Sequence, residues 1–204
     1  MSVALSAFEE VRPLGEIRGD LLPVPLQLET LFPGGGLRRG SVVSVVGSTS
    51  LLLSLLAAAS ADGAWCAAVG LPALGALAAA ERGIGLERFA LVPDPGPQWP
   101  AVVAALLDGI DVVALSPALP GRASHLRRLA ARVRERRAVL LASGPVEGAD
   151  LRLTVAGSRW EGLGQGHGRL RVQHLPVRAE GRGAAARPRH ASVELGPIAT
   201  GRAG

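Results

Sequence analysis

Lysine, asparagine and tyrosine are absent from this chain of 204 residues, which also has one cysteine, one methionine and only 3% aromatic residues. A lone cysteine, Cys66, excludes an intrachain disulfide and a Cys-rich zinc site, and is read as a buried, inert thiol. His125, His167, His174 and His190 lack the spacing of metal ligands and have no acidic pair at i, i+4, so no metal site is expected. There is no G-x-S-x-G elbow and no Ser, His and Asp set at strand ends. Ser143, before Gly144, reads as a turn residue. Apolar runs stay shorter than the roughly 20 residues of a membrane span. The start, MSVALSAFEEVRPLGE, lacks the basic segment and cleavage site of a secretory signal. The expectation is a cytoplasmic protein without a membrane partner.

With no lysine, all 22 basic residues are arginine. Residues 1–120 carry 6 Arg against 11 acids, whereas residues 121–204 carry 16 Arg against 6 acids. The second part is therefore the one suited to a polyanion or a protein partner. A hydrophobic content of 48% over this length supports one globular core with a small extension.

SVVSVVG, from Ser41 to Gly47, is a short β-branched run ending in glycine, the texture of a strand buried on both faces. The Leu- and Ala-rich stretch after it reads as a helix capped by Ser48 or Thr49. The alternation repeats, with strands at 64–69, 89–92, from Asp111 and from Ala138. The helices between them are ALGALAAAERG, QWPAVVAALLDG and 122–137. Recurrent apolar strands joined by helices predict an α/β fold with a mostly parallel central sheet flanked by helices. After Gly148 the strands LRLTVAGSRW and RLRVQHLPVRAE alternate apolar and polar residues, which predicts an antiparallel hairpin on the sheet edge. From about Gly183 the Arg-, Ala-, Gly- and Pro-rich chain predicts a tail without fixed conformation. The expected organisation is a lead-in at 1–23, a core at 24–150, an edge hairpin at 151–182 and a flexible basic tail at 183–204.

LETLFPGGGLRRGSVVSVVG resembles the entry to the core of the RecA and KaiC class of P-loop proteins, and the likeness extends to about Gly144. In that class a loop G-x-x-x-x-G-K-[ST] wraps phosphates with backbone N–H groups, its lysine reaches the β and γ oxygens, and its hydroxyl holds Mg²⁺. Here Gly47 and Ser54 fit, but Leu52 stands for the second glycine and Leu53 for the lysine. Ser116 occupies the position of the metal-linked Asp of the Walker B strand, and Asp111 comes too early to replace it. Leu71 or Pro72 stands where a water-activating Glu is expected. Arg38 and Arg39 are the nearest basic residues by sequence, since the first helix has no arginine. The resemblance therefore implies a degenerate ATPase without cofactor or catalytic residues. An unrelated α/β fold, in which Gly47 only makes a tight turn, is the alternative.

The helix RASHLRRLAARVRERR places Leu126, Leu129, Ala130 and Val133 on one face as core. Its outward Arg127, Arg128, Arg132 and Arg134 are candidates for DNA contact, against the alternative of a solvated face. Trp160 can stack on a base or cap the sheet. A short chain, an erased phosphate loop and SRWEGLGQGHGRLRV in a basic C-terminal region together resemble the ImuA′ group of the actinobacterial translesion mutasome. That likeness implies an accessory protein of DNA-damage-induced translesion synthesis, nucleoid-associated when recruited to damage. Its expected partners are an ImuB-like Y-family polymerase homologue and, indirectly, a DnaE-type polymerase. Candidate partner contacts are Trp160, Arg169, Arg171, Arg178, Arg182, Arg187 and Arg189. A core of this class can also self-associate without nucleotide. The alternatives are a stand-alone DNA-binding RecA paralogue in recombination control and an atypical P-loop ATPase.

Overall fold

The computed structural model describes residues 19–119, 122–161 and 172–196. β1 (Leu21–Leu22) and β2 (Leu37–Arg38) pair as a short antiparallel ribbon that encloses a 3-10 turn at Leu26–Leu31. There follow β3 (Ser41–Val46), α1 (Thr49–Ala61), β4 (Cys66–Val69), α2 (Ala76–Glu81) and β5 (Phe89–Val92). Then come α3 (Trp99–Leu106), β6 (Val112–Leu115), α4 (Arg122–Arg136) and β7 (Val139–Ser143). The chain closes with β8 (Leu151–Val155), β9 (Arg159–Glu161), β10 (Val172–Gly181) and β11 (Arg189–Leu195).

Among the described residues these strands form one large sheet in the order β11-β10-β8-β3-β7-β6-β4-β5, with β9 paired to β10. The run from β8 to β5 is parallel throughout, whereas β10 is antiparallel to β8, β9 and β11. The period-2 geometry of the parallel strands divides their side chains between two cores. Val43, Val45, Ala68, Val112 and Leu141 join α1 on one face, while Val42, Val69, Val113, Leu115 and Leu140 join α3 and α4 on the other. This is why the central strands read as unbroken apolar runs.

Among the described residues helices cover the second face only as far as β3. Beyond it Leu151, Leu153, Val155, Leu175, Val177, Ala179 and Val193 all point into the α1 core. The residues between them, Arg152 and Thr154 on β8 and Arg178 and Glu180 on β10, lie on the uncovered face. The alternation read after Gly148 is the imprint of that one-sided burial.

The antiparallel hairpin is present as expected: β10 pairs with β8, and β8 lies parallel against β3 as the continuation of the central sheet. One expectation changes. The sequence after Gly183 is not a tail throughout: β11 pairs with β10 from Arg189 to Leu195, and Val193 is fully buried. A strand with a single buried side chain among polar and small residues leaves little periodic signal. Within the lead-in, β1 buries Leu22 in the core. Residues 197–204 of the expected tail lie outside the described residues.

Candidate functional site

The turn where the resemblance places a phosphate loop lies at the carboxyl end of β3, the usual ligand end of a parallel sheet. Only Gly47 and Ser48 separate β3 from α1. Gly47 has φ +88°, and a Cβ there would sit 2.3 Å from the Val155 carbonyl oxygen. Close approach of β8 and a left-handed backbone therefore both demand glycine, independently of any anion. Ser48 is extended and caps the helix, its Oγ accepting from the Leu51 N–H at 3.1 Å. The backbone is helical from Thr49, so Leu52 is not at a tight bend as the motif alignment placed it but in the first turns of α1. Leu51 and Leu52 are fully buried and Leu53 is 7% exposed, all within the α1 core. Ser54 turns its hydroxyl to its own helix, donating to the Leu51 carbonyl at 2.8 Å.

The neighbouring strand ends are equally closed. Ser116 is buried, and its Oγ accepts from the Ala118 N–H at 3.2 Å. Gly70 has φ +71°, and a Cβ there would meet Leu119 Cδ2 at 2.9 Å and Ser116 Cβ at 3.1 Å. Ser44 donates to the Gly144 carbonyl at 2.9 Å, tying β3 to the end of β7. Leu71 is half-buried and Pro72 exposed.

Arg39 and Asp111 lie at the opposite end of the sheet. Arg39 precedes β3 and Gly47 follows it, so about 25 Å of strand separates them. Arg39 Nη1 meets Asp111 Oδ1 at 2.7 Å with both side chains almost fully buried. Asp111 Oδ2 also accepts from the Trp65 N–H at 2.8 Å. Asp111 thus anchors the starts of β4 and β6 to the lead-in ribbon. The carboxylate at a buried strand's start was the available sequence signal; its partner, 72 positions away, gave none.

The outward arginines of α4 separate into two groups. Arg132 donates to Asp108 through Nε at 2.9 Å and Nη2 at 2.5 Å, and Arg136 Nε adds a contact at 3.0 Å. Hydrogen bonding by Arg132, supported by the charges of Arg132 and Arg136 and opposed by desolvation, holds the Asp108 carboxyl below the usual carboxylate range. Arg137 pairs with Asp20. Arg132 accordingly links α4 to the end of α3 rather than standing as an open phosphate contact. Asp108, missed in the sequence, is what pairs it. Arg127, Arg128 and Arg134 are exposed and, among the described residues, make no side-chain ion pair.

Of the partner candidates, Arg178 pairs with Glu180 at 2.7 Å, Arg182 and Arg187 are exposed, and Arg189 opens β11. Trp160 is 41% exposed on β9, opposite Gln173. It sits toward the carboxyl end of the sheet, away from Arg178 and Arg182. Arg169, Arg171 and His167 lie outside the described residues. The structure does bring Arg127 and Arg134 of α4 beside Arg182: together with Gly148 and Glu147 they line a cavity of about 280 Å³. Arg182 also borders cavities of about 390 Å³ and 260 Å³, all at the amino-terminal ends of the parallel strands.

Cys66 is buried, with its Sγ near the Leu56 and Ala64 carbonyls. Among the described residues no three His, Cys, Asp or Glu side chains converge on a metal position, and no helix is long and apolar enough to cross a membrane.

A protein of Mycobacterium tuberculosis described as uncharacterized, Rv3395c, is 40% identical to this chain over 135 residues. The match covers 63% of this chain and 65% of the relative, so the chain spans less than two thirds of that protein's length. The family described as MT3502 N-terminal domain matches residues 30–148, which run from the turn before β2 through the core to the loop before β8. With more than half its length matched, the chain belongs to the MT3502 N-terminal domain family.

Proposed function

We propose that this chain is a RecA-like core that acts without nucleotide, as an accessory protein of the ImuA′ kind in damage-induced translesion synthesis. It would bind an ImuB-like Y-family polymerase homologue and, through it, a DnaE-type polymerase. One observation carries the reading. Where a P-loop protein wraps its phosphates, this chain has a two-residue turn, a serine-capped helix and three leucines buried in the core. A RecA core built this way keeps its surfaces for partners and loses the ligand that couples one subunit to the next. The strand order and the arginine-rich second half of the chain support the same view.

The test is co-purification of the full chain with a Y-family polymerase homologue encoded beside it. Truncation at Gly183 is a poor probe, since it removes β11 and exposes the core side of β10. Surface reversals are better suited: Arg187→Glu with Trp160→Ala should lower the recovered complex several-fold while leaving the thermal midpoint unchanged. Equal recovery removes these residues from the interface, and failure of the wild-type chain to capture the homologue refutes the proposal.

A further inference from the structure

We infer that the groove between α4, the β7–β8 connection and Arg182 just after β10 is a binding track for the backbone of duplex DNA, with Arg127, Arg134 and Arg182 as its contacts. This rests on the reading that the protein works at DNA, and it moves the contact surface away from the carboxyl end of the sheet.

The argument begins with charge. Arg39, Arg132, Arg136, Arg137 and Arg178 are each matched to a carboxylate. Arg127, Arg134 and Arg182 are exposed, make no such pair among the described residues, and converge on one cavity from two elements far apart in sequence. A surface that spends its acids on other arginines and leaves three guanidinium groups around one groove attracts anions there. Glu147 lies at the same cavity and leaves the balance positive.

The geometry of the floor supports the same conclusion. Among the described residues α4 is the last helix on its face, and Gly148, in the β7–β8 connection, lies between it and Arg182. Gly148 has φ +75°, and a Cβ there would lie 2.6 Å from Arg182 Nη2. The guanidinium of Arg182 therefore rests directly on the backbone of the β7–β8 connection, on the side that α4 faces. Arg127 and Arg134 are seven residues apart, on one face of the helix and about 10 Å from each other along its axis. A lone phosphate cannot bridge that distance. The phosphates of one strand of a duplex rise about 3.4 Å apiece along the helix axis, so a 10 Å length of axis takes in roughly three.

The lining also selects the form of nucleic acid. The apolar residues of the groove, Val42, Leu126, Ala130 and Val146, include no aromatic. Single-strand binding without sequence preference draws on base stacking against aromatic rings as well as charge. The exposed Trp160 is at the other end of the sheet and cannot supply it. A track that, among the described residues, offers guanidinium groups and no rings reads phosphates alone, and duplex DNA presents them most densely.

The experiment measures affinity for a duplex of about 20 base pairs against salt, with the full chain. Three phosphate contacts predict a slope of log K on log salt near −2.7, hence about a 40-fold loss between 50 and 200 mM. Arg127→Gln, Arg134→Gln and Arg182→Gln should each reduce the slope by about one, and the triple variant should remove most of the salt dependence. Arg132→Gln, whose guanidinium is held by Asp108, should leave the slope unchanged. An unchanged slope in the triple variant, equal loss in Arg132→Gln, or tighter binding of a single strand than of the duplex overturns the assignment. So does a wild-type chain that binds no duplex at low salt. Capture of the polymerase homologue by the triple variant is read separately: if capture persists while duplex binding goes, the track stands apart from the partner surface. If duplex binding behaves as expected and no homologue is captured by any form, the accessory role fails and the track remains.

Discussion

L52G together with L53K completes the G-x-x-x-x-G-K-S pattern from Gly47 to Ser54, and in a chain with a dormant phosphate loop it would be expected to recover nucleotide binding. The structure predicts the opposite. Leu52 is fully buried within α1, and truncating a buried leucine to alanine costs about 2–5 kcal/mol in transfer and cavity terms. Going on to glycine in a helix adds about 1 kcal/mol. Leu53, at 7% exposure, would become an ammonium whose stem must thread out of the core, a further cost. The sum, at least about 3–6 kcal/mol, is a large part of the 5–15 kcal/mol that holds a typical domain together. At roughly 2–4 °C per kcal/mol for a domain of this size, the thermal midpoint should fall by at least about 6 °C. Urea unfolding followed by circular dichroism measures the loss, and titration with a fluorescent ATP analogue measures any gain. Ser54→Ala, which removes a half-buried hydroxyl bonded to its own helix, is the matched control and should change stability little. A double variant as stable as the wild type, or one that binds ATP at micromolar concentration, would show that α1 can unwind into a phosphate loop and would refute the reasoning.

Two further outcomes follow from the ion pairs. Asp111→Ala removes the carboxylate to which the Arg39 guanidinium and the Trp65 N–H donate, and should cost about 3–5 kcal/mol by denaturant titration. Replacing both residues with apolar ones, Arg39→Met with Asp111→Leu, should recover much of that; no recovery would mean the pair itself, rather than the charge left buried, sets the cost. At Asp108 the folded-state carboxyl titrates below its ordinary range, so its stabilisation is complete above the unfolded-state value and disappears as pH falls through the folded one. The thermal midpoints of wild type and Asp108→Asn should therefore differ near neutral pH and begin to converge only as pH falls below about 4. A difference that persists into acid would place the effect elsewhere than in the Arg132 and Arg136 contacts.

The central strands and helices were legible because burial on two faces, or along one helical stripe, writes a periodic pattern. Ser41–Val46 appears as a β-branched run, and Leu126, Leu129 and Val133 are buried on α4 as their spacing implies. Phe89–Val92 matches the expected strand, and Ser48 is the helix cap. The candidate site was less legible. The motif comparison identified Leu52 and Leu53 as departures from a phosphate loop, but only the structure shows that the helix begins at Thr49 and buries both side chains. Arg132 could not be told from Arg127 or Arg134 in a run of similar arginines, since what separates them is Asp108 on a different helix.

Composition and periodicity by themselves determined the α/β class, the order of the core elements and the concentration of positive charge in the second half of the chain. These are local properties, set by side-chain chemistry and by the repeat of strand or helix. Tertiary structure decided the rest: that β11 joins the sheet instead of trailing from it, that Gly47 is needed against Val155, that Arg39 meets Asp111, and which arginines remain uncompensated. Each of these depends on which residues distant in sequence are brought within a few ångströms, and periodicity along the chain holds no record of that.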